Sequence, residues 1–512
     1  MLVKVYGAAV QGVDATIVTI EVNTSRGVKF FLVGLPDAAV KESHERIRAA
    51  LGNTGYKVPA AQITVNMAPA DIRKEGSAYD LPIAIGILAA SDIIVTERLH
   101  RYLIMGELGL DGNLMPIKGA LPIAIKAREL GYEGFILPSQ NAREAAVVNN
   151  LNVYGIDNIV QVIQFLNGET TLEPTVVNTR EEFYAHQDSF EHDFSDVRGQ
   201  ENVKRAFEVA AAGSHNIILV GPPGSGKSMM AKRLPSILPP LSLSESLETT
   251  KIHSVAGRLG KDASLVAVRP FRSPHHTISS VALVGGGSNP QPGEISLAHN
   301  GVLFCDELPE FNRSVLEMLR QPLEDRHITI ARAKYSTDYP ANFMLVASMN
   351  PCPCGYYNHP TKACVCNPGQ VQKYLNRISG PLLDRIDIQI EITPVPFEEL
   401  SKNTPSESSA TIRQRVIRAR QIQEQRFAHE PGIHCNAQMT PRLLQQHAAL
   451  DEQGKALLEN AMDKLNLSAR AYDRILKVAR TIADLDESPS ILPMHIAEAI
   501  GYRSLDRENW GA

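Results

Sequence analysis

Residues Gly221, Pro222, Pro223, Gly224, Ser225, Gly226, Lys227 and Ser228 follow the apolar run Asn216-Ile-Ile-Leu-Val220 and precede Met229-Met-Ala-Lys-Arg-Leu234. A strand, a glycine-rich turn and a helix start in that order make a phosphate-binding loop. The glycines let backbone N–H groups face phosphate oxygens at the positive end of a helix. Lys227 is placed to reach the β/γ-phosphates and Ser228 to offer its hydroxyl to Mg²⁺. The segment therefore predicts an α/β domain that binds a nucleoside triphosphate.

The rest of the chain is read around that loop. With 512 residues, 44% hydrophobic and 21% charged, it has enough apolar side chains for about three domains. The longest apolar run, Leu81 to Ala90, is too short to span a bilayer, and the first thirty residues lack the apolar region of a signal peptide. A cytoplasmic protein without a membrane partner is expected. A net charge of −5 confines any nucleic-acid contact to local clusters, repeated if the chain oligomerises. Residues 1–167 alternate strand-like and helical patterns, 168–193 turn polar and read as a linker, 194–396 return to an α/β pattern, and 397–512 read as a helical lid.

Gly301-Val-Leu-Phe-Cys-Asp306-Glu307 is a short apolar run ending in two carboxylates, at the strand edge where ligands sit in parallel sheets. Asp306 suits the Mg²⁺ shell, together with Ser228, and Glu307 suits the attacking water. A further run, Phe343-Met-Leu-Val-Ala-Ser-Met-Asn350, ends in an amide that can hold water or the γ-phosphate. In Ile378-Ser-Gly-Pro-Leu-Leu-Asp384-Arg385-Ile386-Asp387 an arginine stands among apolar residues. Locally it reads equally as a salt bridge to Asp384 or Asp387.

The order of these motifs resembles AAA+ ATPases of the magnesium-chelatase and minichromosome-maintenance branch, and more closely the bacterial ComM/YifB family. The likeness is carried by Phe271-Arg-Ser-Pro-His-His-Thr-Ile-Ser279, Gly293 to Phe304, Asp306-Glu-Leu-Pro-Glu-Phe311 and Asn350-Pro-Cys-Pro-Cys-Gly355. The resemblance implies that Asn350 is a first sensor, Arg385 a finger reaching a neighbouring subunit's site, and Arg470 a second sensor on the lid. It also implies adenine recognition near Gly199 and Gln200, a hexameric ring, and a motor acting on branched or single-stranded DNA. The family's role in branch migration of recombination intermediates during natural transformation, alongside recombination proteins, is the leading expectation. A metal-insertion ATPase like magnesium chelatase and an ATP-dependent protease are the alternatives.

Two segments offer cations for DNA. The insert from Arg269 to Gly285 reads as an exposed, mobile loop carrying Arg272, His275 and His276. The alternating run His327-Ile-Thr-Ile-Ala-Arg332-Ala-Lys334 reads as a hairpin whose Arg332 and Lys334 would meet phosphates around a pore. Cys352, Cys354, Cys364 and Cys366 cluster as two C-x-C pairs, which reads as a Zn²⁺ site sooner than as disulfides, with reduced thiols as the plain alternative. Cys305 and Cys435 look structural. The amino-terminal domain resembles the proteolytic domain of Lon through Lys74 to Pro82 and Gly106 to Leu121. Asp80 stands about where the nucleophilic serine belongs and Leu121 where the lysine belongs, with Ser77 and Lys118 displaced, so this domain is expected to be proteolytically inactive.

Overall fold

The computed structural model describes residues 1–260, 263–287, 290–332, 335–357, 359–395, 406–465 and 467–503. The amino-terminal domain is built on a mixed sheet whose strand order is Phe30–Val33, Gln62–Ala68, Asp14–Ser25, Leu2–Gln11, Tyr102–Ile104, Gly134–Pro138, Asn152–Ile156. Leu2–Gln11 and Asp14–Ser25 form an antiparallel hairpin, and the last three strands run parallel to Leu2–Gln11 and to one another. The helix Asp80–Ala89 is buried along its whole length. That burial explains why Leu81 to Ala90 reads as continuously apolar without being long enough for a membrane. Among the described residues no helix is long and apolar enough to cross one.

The second domain is a parallel sheet in the order Phe271–Arg272, Val302–Cys305, Met344–Met349, Ile217–Val220, Ile388–Glu391. Its three central strands are fully buried, as strands covered on both faces must be, and they read as unbroken apolar runs. Because all run the same way, the residues after Val220, Cys305 and Met349 emerge together at the carboxyl edge.

The carboxyl-terminal helices Ser409–Arg426, Pro441–His447, Glu452–Leu465, Ala469–Leu485 and Pro493–Gly501 do not fold apart from that sheet. Val416, Ala419, Ile475, Val478 and Ile482 share one apolar core with Phe207, Ile217, Leu219 and Val346. Arg420 and Gln423 donate to the carbonyls of Ala211 and Ala212, which cap the helix Glu201–Gly213. The boundary expected at 396–397 lies outside the described residues.

The stretch read as a linker carries the helix Thr179–His186. Its Glu182 bridges Arg143 of the first domain at 2.7 Å and Ser264 of the second at 2.7 Å. Phe183 is its one buried residue, so there is no apolar stripe for a sequence pattern to find. The two domains also touch directly, Ser254 accepting from the N–H groups of Gly119 and Leu121.

Candidate ATP site

Three strand ends assemble the site. Gly221 follows Val220, donates its N–H to Met349 O at 3.2 Å, and passes so close to the next strand that a Cβ would lie 2.4 Å from Ile392 O. Only glycine fits there. Gly224 and Gly226 adopt φ of +78° and +91°, the left-handed conformations that turn the loop back over the start of the helix Lys227–Arg233. The buried Ser225 hydroxyl has no protein partner among the described residues.

Lys227 donates from Nζ to Gly221 O at 2.7 Å, Pro222 O at 2.9 Å and Asn350 Oδ1 at 3.3 Å. Burial pushes its pKa down, against the opposing pull of Asp306 and Glu307. Ser228 Oγ donates to Asp306 Oδ2 at 2.7 Å, and the other carboxylate oxygen is held by the Ser348 hydroxyl. This pairing of a hydroxyl with a carboxylate, both hard oxygen donors, fits a magnesium ion carried in on a triphosphate. Ser348 was not legible as a site residue, because its strand is buried on both sides and has no alternation to single it out.

Glu307 has φ of +54°, rare for a side chain with a Cβ. Its N–H is fixed by Asp306 Oδ1 at 3.1 Å and Ser348 Oγ at 3.3 Å, which leaves the carboxylate at the edge of the site. Gly199 and Gln200 both take left-handed φ before the helix Glu201–Gly213, and Gln200 Nε2 donates to Thr393 O at 2.6 Å. They border the strand Ile388–Glu391 that flanks the loop.

The insert differs from the exposed, mobile loop expected. Arg269 is anchored by Pro239 O, Asn300 O and Glu245, Phe271–Arg272 joins the sheet, and Leu283 is fully buried. A Cβ on Gly285 would lie 2.5 Å from Gln291 O and one on Gly293 would lie 2.4 Å from Leu283 O. These glycines permit close packing. Arg272 is taken up by a two-point pair with Glu294, at 2.6 and 2.8 Å, and so is not a free cation for DNA. His276 Nδ1 lies 3.7 Å from Glu307 Oε2, and His275 packs on His276 at 4.1 Å between ring centroids. His276 thus sits beside the Glu307 carboxylate with His275 stacked behind it, a juxtaposition across 31 positions that composition does not signal.

Arg385 pairs with neither Asp384 nor Asp387. Its guanidinium bonds Glu324 and Pro381 O, and its buried Nε has no partner among the described residues. Asp387 instead holds His215 at 3.2 Å and Arg474 at 2.8 Å. Asp384 takes Arg470 at 3.2 Å, so Arg385 and Arg470 come off one patch. Among the described residues, neither guanidinium hydrogen-bonds to Lys227, Ser228, Asp306 or Glu307.

The hairpin pairs His327–Arg332 with Tyr335–Pro340. It is braced by the amino-terminal turn at Gly12, where a Cβ would lie 2.9 Å from Thr337 Cγ2. Lys334 and the side chain of Arg332 lie outside the described residues. The four sulfurs of Cys352, Cys354, Cys364 and Cys366 all fall within 4.8 Å of one another. None of the six cysteines is in a disulfide.

In the amino-terminal domain, Asp80 is fully buried and chelated by Arg46, Nε to Oδ2 at 2.7 Å and NH2 to Oδ1 at 2.9 Å. Leu121 is core. Ser77 is bound to Glu107, and the Lys118 stem lies against Gly257 of the ATP-binding domain. A serine–lysine nucleophile is therefore absent from these positions. Burial raises the Asp80 pKa against the pull of Arg46. In Arg46→Ala a buried carboxylate loses its partner, which should cost about 3–5 kcal/mol. A large fall in the thermal midpoint of the variant, largely recovered in Arg46→Leu/Asp80→Leu, checks this.

A parallel sheet of this strand order, with a phosphate loop, a carboxylate pair and an asparagine on adjacent strand ends, defines an AAA+ ATPase using ATP and Mg²⁺. Family models agree across the chain: "Magnesium chelatase, subunit ChlI" matches residues 193–400, "Subunit ChlI of Mg-chelatase" residues 20–141, and "Magnesium chelatase, subunit ChlI C-terminal" residues 406–503. The chain is 45% identical over 509 residues to Competence protein ComM of Haemophilus influenzae, covering 99% of this chain and 98% of that one. It is also 45% identical over 510 residues to protein YifB of Escherichia coli, covering 98% and 97%. Lon protease 2 of Bacillus subtilis is 29% identical over 153 residues, 28% of this chain and 27% of that one. The chain belongs to the ComM/YifB family of magnesium-chelatase-like AAA+ ATPases.

Proposed function

We propose that this ATPase is a hexameric DNA motor that promotes branch migration of recombination intermediates during natural transformation. The observation that carries the ring is the division of the site. The phosphate loop, Asp306, Glu307 and Asn350 converge within one chain, while Arg385 and Arg470 leave from a different patch. A cation supplied by an adjacent subunit completes the charge stabilisation that phosphoryl transfer needs.

When bound, Mg²⁺ offsets charge on the β- and γ-phosphates. Ser228 and Asp306 would hold it, Lys227 neutralises the phosphates, Glu307 orients and deprotonates water, and Asn350 fixes that water or the γ-phosphate. A zinc ion in the four-cysteine cluster is the further resident ion on this reading.

DNA as substrate is supported by the competence name of the relative that matches over nearly the whole chain. It is also supported by the cations Arg332 and Lys334 of the sequence, which would be repeated around a ring. Work on DNA predicts that fork, junction or single-stranded DNA raises ATP turnover severalfold, and that a labelled Holliday junction is separated in the presence of ATP. An ATPase rate indifferent to every DNA, with the junction left intact, would point instead to a metal-insertion role.

A further inference from the structure

The segment after Asn350 returns to the ATP site at three points, at Gly355, Tyr374 and Arg377. Cys352 Sγ lies 3.3 Å from Cys354 Sγ and 3.6 Å from Cys364 Sγ, and Cys354 and Cys364 are 3.5 Å apart. A tetrahedral ion with Zn–S bonds of about 2.3 Å holds its sulfurs about 3.8 Å apart. The spacings are close to that value and far beyond the roughly 2.05 Å of a disulfide. Backbone N–H groups also converge on the sulfurs, Cys366 N on Cys364 Sγ at 3.4 Å, and those of Tyr356 and Val365 on Cys354. Such donors orient thiolates and offset their charge. Four soft donors in this geometry select zinc over the hard cation of the triphosphate site.

The cluster is tied to the phosphate loop. Its first cysteine stands two residues after Asn350, whose side chain meets Lys227. Gly355, at φ +85°, lies so close to Pro223 that a Cβ would be 2.6 Å from its Cδ. After Cys366 the helix Pro368–Leu375 brings the buried Tyr374 back beside the backbone of Asn350. Arg377, just beyond that helix, reaches Pro309 O at 3.3 Å and Glu310 Oε1 at 2.8 Å, beside the Asp306–Glu307 turn. Without a cross-link, residues 351–366 would close this circuit through a stretch that has no helix or strand among its described residues.

The geometry points to one Zn²⁺ held by Cys352, Cys354, Cys364 and Cys366, acting as a clamp that presses the loop onto Pro223 and fixes Asn350, so that zinc occupancy sets nucleotide affinity. This goes beyond the motor reading and stands on the ATP site alone, whatever the ATPase works on. The residues coupling the two sites are positioning residues.

The test uses the full-length protein. Metal analysis should find one zinc per chain, and cobalt substitution should give the intense visible absorption of a tetrahedral tetrathiolate; both should be lost in Cys354→Ser/Cys366→Ser. Stripping zinc with a selective chelator, then restoring Mg²⁺, should weaken binding of a fluorescent ATP analogue about tenfold, reversibly on zinc addition. Gly355→Ala should retain its zinc and lose affinity to a similar extent, which isolates the coupling even if the stripped protein unfolds. Lys227→Ala should lose nucleotide binding with zinc unchanged, so that failure of the ATP site itself is told apart. Absence of a tetrahedral cobalt signature would overturn the metal site. Full zinc occupancy with affinity unmoved in Gly355→Ala would overturn the clamp.

Discussion

Glu307→Gln should lower ATP turnover by about 10²–10⁴-fold, the contribution typical of a positioned base, while nucleotide binding stays near its normal strength. The two effects separate because the residues that would hold the triphosphate are fixed without the Glu307 side chain. Lys227 is set by two carbonyls and Asn350, and Asp306 by Ser228 and Ser348. Glutamine keeps the size of the side chain and its backbone anchors at Asp306 and Ser348, but lacks the charge that would accept a proton from water in the proposed role. The weak contact to His276 at 3.7 Å is spent without structural consequence, since both partners are at the site's edge. Single-turnover hydrolysis beside equilibrium binding of a fluorescent nucleotide checks both halves. Hydrolysis near the normal rate would remove Glu307 from the chemistry.

Arg385→Ala should be larger still, about 10³–10⁵-fold in turnover, the effect of withdrawing an arginine finger. Arg385 is buried in its own chain, but the ion pair it makes there is weak. Glu324, its carboxylate partner, is 55% exposed, and an ion pair open to water on one side contributes about 0–1 kcal/mol. Removing the guanidinium also removes the unpartnered buried Nε, and Glu324 regains water. The variant should therefore melt close to the unaltered protein and assemble normally while hydrolysing almost no ATP. A structural arginine would give the opposite pattern, a lowered melting temperature with turnover per folded molecule preserved.

Much of the nucleotide site was legible because each of its motifs ends a buried parallel strand. An apolar run closing on Gly221, on Asp306 or on Asn350 is a local signal, and the sheet brings the three together by order alone. What escaped the sequence is contact made across long separations. Nothing near Arg385 names Glu324 as its partner, and nothing near His276 names Glu307. The insert looked loose because glycines and cations signal loops, yet Gly285 and Gly293 are there for backbone packing and Arg269 is anchored by carbonyls. The helix Thr179–His186 was hidden by having one apolar anchor. The lid's union with the sheet is invisible for a related reason: an amphipathic helix declares an apolar face without declaring what covers it.

A shared pocket makes one claim that no single variant tests as directly as a mixture. Lys227→Ala chains cannot hold the triphosphate but keep Arg385, and Arg385→Ala chains keep the phosphate loop but lack the finger. Each alone should be inactive. Mixed in equal amounts and allowed to exchange subunits, they should recover about a quarter of the normal ATP turnover, since about one interface in four pairs an intact loop with an intact arginine. Turnover in the mixture no higher than the average of the two separate variants would contradict a site completed by the neighbouring subunit.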